Sequence, residues 1–378
     1  MSHEGVKFLI IGHGRHKIYN DDYYGYAPYI REMNIWLRYV DEVRIVAPLV
    51  SEPLSSLEMA YAHPNLSFVD VPLLDFQSFW KGVESLFRLP EILFSIFKAM
   101  RWSNHIHLRC PGNMGLLGAI LQICFPQKRK TVKYANNWDR SSRQPLTYRL
   151  QQYILKNEFL TRNTKLLVYG DWGEKSRNVV PFFTASYGEA KAMPVLPRNI
   201  EEDESVKLIF VGTLTPNKRP LITIKVLQEL LRQNISAHLT MIGGGNQEEE
   251  LREYVVENNL DEFVRFTGKM FPDQVELCYR NSHFLVFLSE TEGWPKVVAE
   301  AMWWGCVPVV TNVSCVKQML GGNTRGVLVL PDFKEAANAI VFLIKHPNQY
   351  SKKANLAMQW ARQYNLERFE RSIVHFIN

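Results

Sequence analysis

The chain of 378 residues has little cysteine. Cys110, Cys124, Cys278, Cys306 and Cys315 are odd in number and form no Cys-x-x-Cys pair. Neither a disulfide framework nor a zinc ribbon is expected, and a reducing compartment fits best. Long apolar runs are also missing. The longest, GLLGAILQICF at 115–125, falls short of the roughly 20 residues a membrane-spanning helix needs. The start, MSHEGVKFLIIGHG, enters an apolar strand almost at once, without the basic and hydrophobic regions of a secretory leader. A cytoplasmic location follows as the expectation. No Asp-x-Asp pair stands at a strand end, so no metal site is expected. GHGRHK (12–17) and GGGNQE (243–248) both lack the full glycine spacing of a dinucleotide fingerprint. Gly and Pro, 21 and 19 in number, are too few for a collagen-like or low-complexity chain.

What is present is an alternation of short β-rich apolar runs with longer amphipathic stretches. The first half holds KFLIIG (7–12), EVRIVAP (42–48), LSFVDVP (66–72), HIHLR (105–109), KTVKYA (130–135) and KLLVYG (165–170). The second holds VKLIFVG (206–212), AHLTMIG (237–243), VRFTG (264–268), HFLVFLS (283–289), VPVVTN (307–312) and GVLVLP (326–331). Near-continuous Val, Ile, Leu and Phe indicate strands buried on both faces, as in parallel sheets covered by helices. The segment 191–205, with two prolines and an acidic run, reads as a linker. The sequence thus predicts an N-terminal Rossmann-like domain over 1–195 and a second over 206–350. C-terminal helices over 351–378 follow, the last crossing back to the first domain. Ligands of open parallel sheets bind beyond the carboxyl ends of the strands, so the loops there hold the candidate chemistry.

Three such loops lie in the second half. In SETEGWPKVVAEAMWWGCVPVVT (289–311), Pro295 is placed to open a helix whose free N–H groups favour an anion. Gly293 permits close backbone approach, while Glu292 precedes the helix and Glu300 lies within it. Two carboxylates beside an anion site suit a ligand with both hydroxyls and phosphates. In VGTLTPNKRP (211–220), Lys218 is predicted to open the next helix and to meet a diphosphate as a point charge. In MIGGGNQEEE (241–250), three glycines make a permissive turn.

Together these turns resemble the donor half of retaining glycosyltransferases of the GT-B fold, glycosyltransferase family 4. The resemblance rests on Glu292, the seven residues after it, Glu300, and then Ala301, Met302, Gly305, Pro308 and Val309. It rests also on Gly212, Thr213, Leu214 and Lys218, with Thr213 where the family usually has arginine. It is specific over about 206–330 and looser before that. It implies an α/β fold of two Rossmann-like parallel-sheet domains facing a central cleft. It implies transfer of a sugar, with retention and without a metal or other cofactor, from a nucleotide diphosphate sugar of UDP or GDP type. Glu292 would contact the sugar hydroxyls. Lys218, with Arg219 or Lys296 in support, would face the diphosphate. Gly293, Trp294 and Pro295 would present backbone to the donor, as would Gly212, Thr213 and Gly244. Glu300 would hold the ribose, and Lys269 would lie near the base. Trp303 and Trp304 are assigned to packing.

In the first half, the stretch 12–33 reads as one long loop over the cleft. Gly12, His13, Gly14 and Arg15 are its candidates for donor phosphate or acceptor. Asn136, Asn137 and Asp139 of YANNWDR (134–140) are candidates for sugar hydroxyls, although the family's usual histidine is missing there. The stretch 76–102 interleaves Phe, Leu, Ile and Trp with basic residues, and reads either as a segment on an anionic membrane or as core-facing helices. Charge is divided unevenly. Residues 81–180 hold 17 Lys and Arg against 6 Asp and Glu, a net of +11 in a chain whose total is +6. The expected acceptor is accordingly a glycan or lipid-linked glycan, with an anionic membrane surface as a further partner, at the inner membrane face. No nucleic-acid motif is present. A nucleotide-sugar epimerase, a phosphorylase of the same fold and a non-catalytic binder of anionic polymers remain open as alternatives.

Overall fold

A computed structural model describes residues 5–55, 57–74, 78–194, 200 and 205–377. The chain divides into two compact units, Met1–Phe183 with Glu370–Asn378, and Thr184–Phe369. Of the stretch read as a linker, 195–199 and 201–204 lie outside the described residues.

The first unit runs β1 (Lys7–Ile11), β2 (Lys17–Tyr19), β3 (Asp22–Tyr26), α1 (Ala27–Leu37), β4 (Glu42–Ala47), β5 (Glu58–Ala60) and β6 (Leu66–Asp70). It continues with α2 (Phe79–Trp102), β7 (His105–Cys110), α3 (Asn113–Leu121), β8 (Arg129–Tyr134), α4 (Leu146–Lys156), β9 (Thr164–Tyr169) and β10 (Val179–Phe182). Seven strands form a parallel sheet in the order β10-β9-β8-β7-β1-β4-β6. β10 was not foreseen, because a four-residue edge strand containing Pro181 carries little pattern. The stretch 12–33 is not one loop. It folds into the β2–β3 hairpin and the start of α1, and β5 extends the hairpin to an antiparallel three-stranded sheet. Asn20 and Asp21 form the hairpin turn with φ of 48° and 65°, a conformation these two residue types tolerate.

The two faces of the large sheet are unlike. On one side Leu9, Ile11, Leu108, Val132 and Leu166 join Ile92, Ile96, Ala99 and Met100 of α2, Met114 and Ala119 of α3, and Ile154 and Leu155 of α4 in one apolar core. The spacing of the α2 residues is that of one helical face, so 76–102 supplies one long helix rather than two. Residues 76 and 77 of that stretch lie outside the described residues. On the other side Phe8 packs against Trp36 of α1, 6.0 Å between rings, beside buried polar groups. His105 and His107 both reach the Thr131 hydroxyl, at 3.0 and 2.9 Å. Burial first, and the charge of Arg129 second, press His105 down to about 3. Burial holds His107 well below the ordinary imidazole value. Lys133 of β8 pairs with Glu32 of α1 at 2.6 Å, both buried.

The second unit runs β11 (Val206–Val211), α5 (Pro220–Arg232), β12 (Ala237–Ile242), α6 (Glu248–Glu257), β13 (Val264–Gly268), α7 (Pro272–Asn281), β14 (Phe284–Phe287) and α8 (Lys296–Trp303). β15 (Val307–Thr311), α9 (Val316–Met319), β16 (Val327–Val329), α10 (Phe333–Lys345) and α11 (Pro347–Ala361) follow. The final helix, α12 (Leu366–Ile377), spans the division between the units. Six parallel strands lie in the order β13-β12-β11-β14-β15-β16. Each coincides with an apolar run read from the sequence, to within a residue or two at the ends.

Candidate active site

In a parallel sheet all strands end on one edge, so the turns after β11, β12, β13 and β14 are neighbours in the order of the sheet. The β11 turn opens with Gly212, followed by the exposed Thr213. Leu214 is buried, and its N–H donates to the Gly244 carbonyl at 3.1 Å. Gly243 must be glycine. Its φ is 133°, and a Cβ there would stand 1.8 Å from the Gly212 oxygen. The β11 and β12 turns are thus in backbone contact. Lys269, after β13, brings its Cε to within 3.8 Å of where a Cβ of Gly244 would stand.

Lys218 does not open the next helix. It closes a short 3-10 turn, Pro216–Lys218. Arg219 then adopts a left-handed conformation, φ 51°, and α5 begins at Pro220, where proline's missing N–H costs nothing. This detour aims Lys218 and Arg219 at the turn after β14. Lys218 Nζ donates to Glu292 Oε1 at 2.5 Å, with side chains 21% and 9% exposed. Arg219 lies 3.7 Å from Glu290. The Glu290 N–H donates to the Asn217 carbonyl, and Asn217 Nδ2 to the Thr291 carbonyl. The two turns that hold the cations and the carboxylates are locked together by backbone as well as charge.

Pro295 caps α8 rather than opening it, and Lys296 takes the first helical position. The Gly293 carbonyl accepts from the Ser314 hydroxyl at 2.7 Å. Trp294 stacks on Trp360, 6.1 Å between rings, so its indole is fixed from one side. Glu300 is partnered on both oxygens: Oε1 accepts from the Ser186 hydroxyl at 2.5 Å and Oε2 from the Tyr279 hydroxyl at 3.3 Å. Neither partner was singled out from the sequence, because Ser186 lies 114 positions away and no local pattern marks it. Burial and the charge of Glu300 keep the Tyr279 phenol protonated. A carboxylate has lone pairs beyond these two bonds, so Glu300 retains acceptor capacity. Trp303 and Trp304 are buried and pack on Tyr187, at 5.3 and 5.6 Å.

The first unit has its own cavity, of about 280 Å³, at the carboxyl ends of β1, β4, β7 and β8. Gly12, His13, Gly14 and Asn136 line it, together with Arg109 and Tyr148. Three other candidates are placed elsewhere. Arg15 reaches Glu52 at 3.4 Å on the exposed surface. Asn137 is buried and its Oδ1 accepts the Asp139 N–H, while Asp139 accepts from Ser141. Asn137 and Asp139 therefore build the loop that presents Asn136. Arg109 was missed because it ends an apolar strand without any motif. It lies over the Tyr29 ring at 4.6 Å, and no carboxylate pairs with it among the described residues. Its charge is also felt by its neighbours. His13 is lowered by burial and then by Arg109, and Cys110 is pushed up to about 12 by burial. The cavity thus joins one cation to groups held neutral.

Two parallel-sheet α/β units, each with its loops gathered at the carboxyl ends of the strands, are the parts of a GT-B fold. Solved structures agree over nearly the whole chain. The Anabaena protein HepE in complex with UDP and glucose covers 98% of both chains with TM-score 0.70 and 13% identity. Sucrose-phosphate synthase from Thermosynechococcus elongatus does so with TM-score 0.65 and 16% identity. At such identities the likeness concerns the fold. Residues 196–360 match the model of the family described as glycosyl transferases group 1. A glycosyltransferase of Haemophilus influenzae is 28% identical over 46% of this chain and 50% of its own length. The GDP-mannose:cellobiosyl-diphosphopolyprenol alpha-mannosyltransferase of Xanthomonas oryzae pv. oryzae is 24% identical over 42% of this chain and 43% of its own length. The matches span half or less of those relatives' own length.

Proposed function

We propose that the protein transfers a sugar, with retention, from a UDP- or GDP-sugar to a glycan or lipid-linked glycan at the inner membrane face. The observation that carries this reading is the Lys218–Glu292 pair, which joins a cation and a carboxylate across the turns of two neighbouring strands. The mannosyltransferase relative, named for a GDP-sugar and a diphosphopolyprenol-linked acceptor, supports the choice of substrate classes.

In this reading the donor diphosphate displaces Lys218 from part of its contact with Glu292. Lys218 and Arg219 then stabilise the negative charge that grows on the leaving phosphate. Fixed charges of this kind usually make the largest contribution to such a step. They supply the positive charge there, so the reading calls for no divalent cation. Glu292, freed on one oxygen, accepts from a sugar hydroxyl, and Glu300 accepts from the ribose hydroxyls. The bond from the sugar carbon to the phosphate oxygen breaks as the acceptor oxygen bonds to that carbon on the same face. The acceptor proton passes to the departing phosphate oxygen. Arg109 and Asn136 serve the acceptor side.

The test is a panel of UDP- and GDP-sugars incubated with lipid-linked glycan acceptors and read by mass spectrometry, with Glu292→Gln alongside. Transfer by the unaltered protein and its loss in the variant is the expected result. Transfer at an unchanged rate in Glu292→Gln would overturn the reading. A donor converted without any acceptor would favour the epimerase instead.

A further inference from the structure

The helices that cover one side of the first unit's sheet are neighbours: α2 packs on α3 and α3 on α4. Their inner faces form the apolar core, so the outer faces should be polar. They are not. On α2, Leu86, Phe87, Phe94 and Phe97 are exposed, Phe87 at 83% and Phe94 at 69%. Their spacing keeps them on one helical face, opposite Ile92, Ile96 and Met100. On α4, Leu146, Leu150 and Tyr153 form a second exposed stripe, Leu146 at 82%, and Phe159 follows at 72%. Ile120 of α3 is exposed between the two helices. A soluble surface seldom gathers so many large apolar side chains over three adjacent helices without a partner.

The charges beside them are mostly basic, although Glu91 is exposed between Phe87 and Phe94 and Glu158 adjoins Phe159. Lys98 and Arg101 extend the α2 stripe and Arg149 lies within the α4 stripe, all exposed and without a carboxylate partner among the described residues. Arg143 precedes α4 and is exposed too. Arg162 lies over the Phe159 ring at 4.7 Å. Of the acidic groups nearby, Glu84 is tied to Arg88 and Glu174 to Lys156. We infer that this three-helix face docks on an anionic lipid bilayer. The rings and leucines enter the boundary between headgroups and chains, and the long basic side chains remain at phosphate level. A protein partner would call for a shaped pocket around a central anchor. Here the apolar side chains stand out from the surface, which suits insertion. The inference concerns a surface apart from the proposed transfer site, and its test uses no sugar donor.

The full chain is sedimented with vesicles of equal parts phosphatidylcholine and phosphatidylglycerol, and with vesicles of phosphatidylcholine alone. Binding to the anionic vesicles that weakens with added salt is expected. The paired change Phe87→Asp with Phe94→Asp, and separately Leu146→Asp with Leu150→Asp, should each weaken it at least about tenfold, since one buried apolar side chain is worth that or more. All four positions are exposed, so the fold should be kept, and unchanged melting would show it. Failure of the unaltered protein to bind anionic vesicles would overturn the inference. So would equal binding by either pair, since the face is claimed for both helices. A stable dimer in light scattering that Phe87→Asp dissolves would instead make a second copy the occupant and overturn it as well.

Discussion

The two units repeat one plan of strand and helix but differ in where they place polar groups. The second unit's strands are mostly Val, Ile, Leu and Phe, interrupted by Lys207, His238 and Arg265, and its Lys218, Arg219, Glu290 and Glu292 gather in the turns at one edge. Its exposed apolar residues, such as Val256, Leu277 and Phe342, are scattered over α6, α7 and α10. The first unit buries two histidines and an ion pair against one face of its sheet, and carries apolar side chains outside on the other. In the proposed reading, the donor needs a fixed set of charges on a rigid edge. The acceptor side, in the proposed reading, has to meet both a glycan and a bilayer.

The largest test of this difference is the Lys133–Glu32 pair. Glu32→Ala removes the carboxylate from a buried ammonium and should cost about 3–5 kcal/mol. Differential scanning calorimetry should show the first unit's transition falling and the second's holding. Movement of both transitions alike would mean the units are not independent. Next in size, Lys218→Ala should lower kcat by about 10²–10³ while the melting temperature changes little. Activity within a few-fold of the unaltered protein would remove the lysine from the diphosphate.

Acid should separate the units without mutation. His105, held at about 3, and His16, lowered to about 4 chiefly by burial, stay neutral in the folded first unit. Unfolded, each binds a proton below the ordinary value of 6.5. Stability is therefore full above that value and falls as the pH drops from 6.5 towards 4 and 3, by about 1.4 kcal/mol per pH unit for each group. Melting followed across this window should show the first unit's transition moving, and less so after His105→Phe. An unmoved transition would contradict the buried neutral state. The smallest expected effect is at the first unit's cavity. Arg109→Ala should raise KM for a phosphate-bearing acceptor about tenfold and leave the donor KM alone, the loss expected of one charge-assisted hydrogen bond. An equal rise in both KM values would place Arg109 on the donor.

The same contrast explains what could be read from the chain. The strands of the second unit announce themselves because burial keeps most of their positions apolar, with single polar residues such as Lys207 and His238 at exposed places, and Lys218, Glu292 and Glu300 stand at recognisable spacing around them. The path between is not written locally. Nothing in NKRP indicates that Arg219 turns left-handed and delays the helix to Pro220. The link from Ser186 to Glu300 joins segments far apart in sequence. In the first unit, β2 and β3 mix charge with tyrosine and escape a search for apolar runs, although Asn20-Asp21 is a usable turn signal. Arg109 looks like an ordinary strand end until the neutral groups around it are seen together. The stretch 76–102 was ambiguous for a physical reason: α2 is apolar on the face it buries and also on the face it leaves outside.

Hydrogen exchange on the full chain with and without UDP and GDP tests most directly whether the donor sits on the second unit's edge. One of the two nucleotides should protect amides in 212–219, 243–247 and 289–296 together, with Lys218→Ala abolishing the effect. Protection confined to the first unit, or none with either nucleotide, would contradict the account.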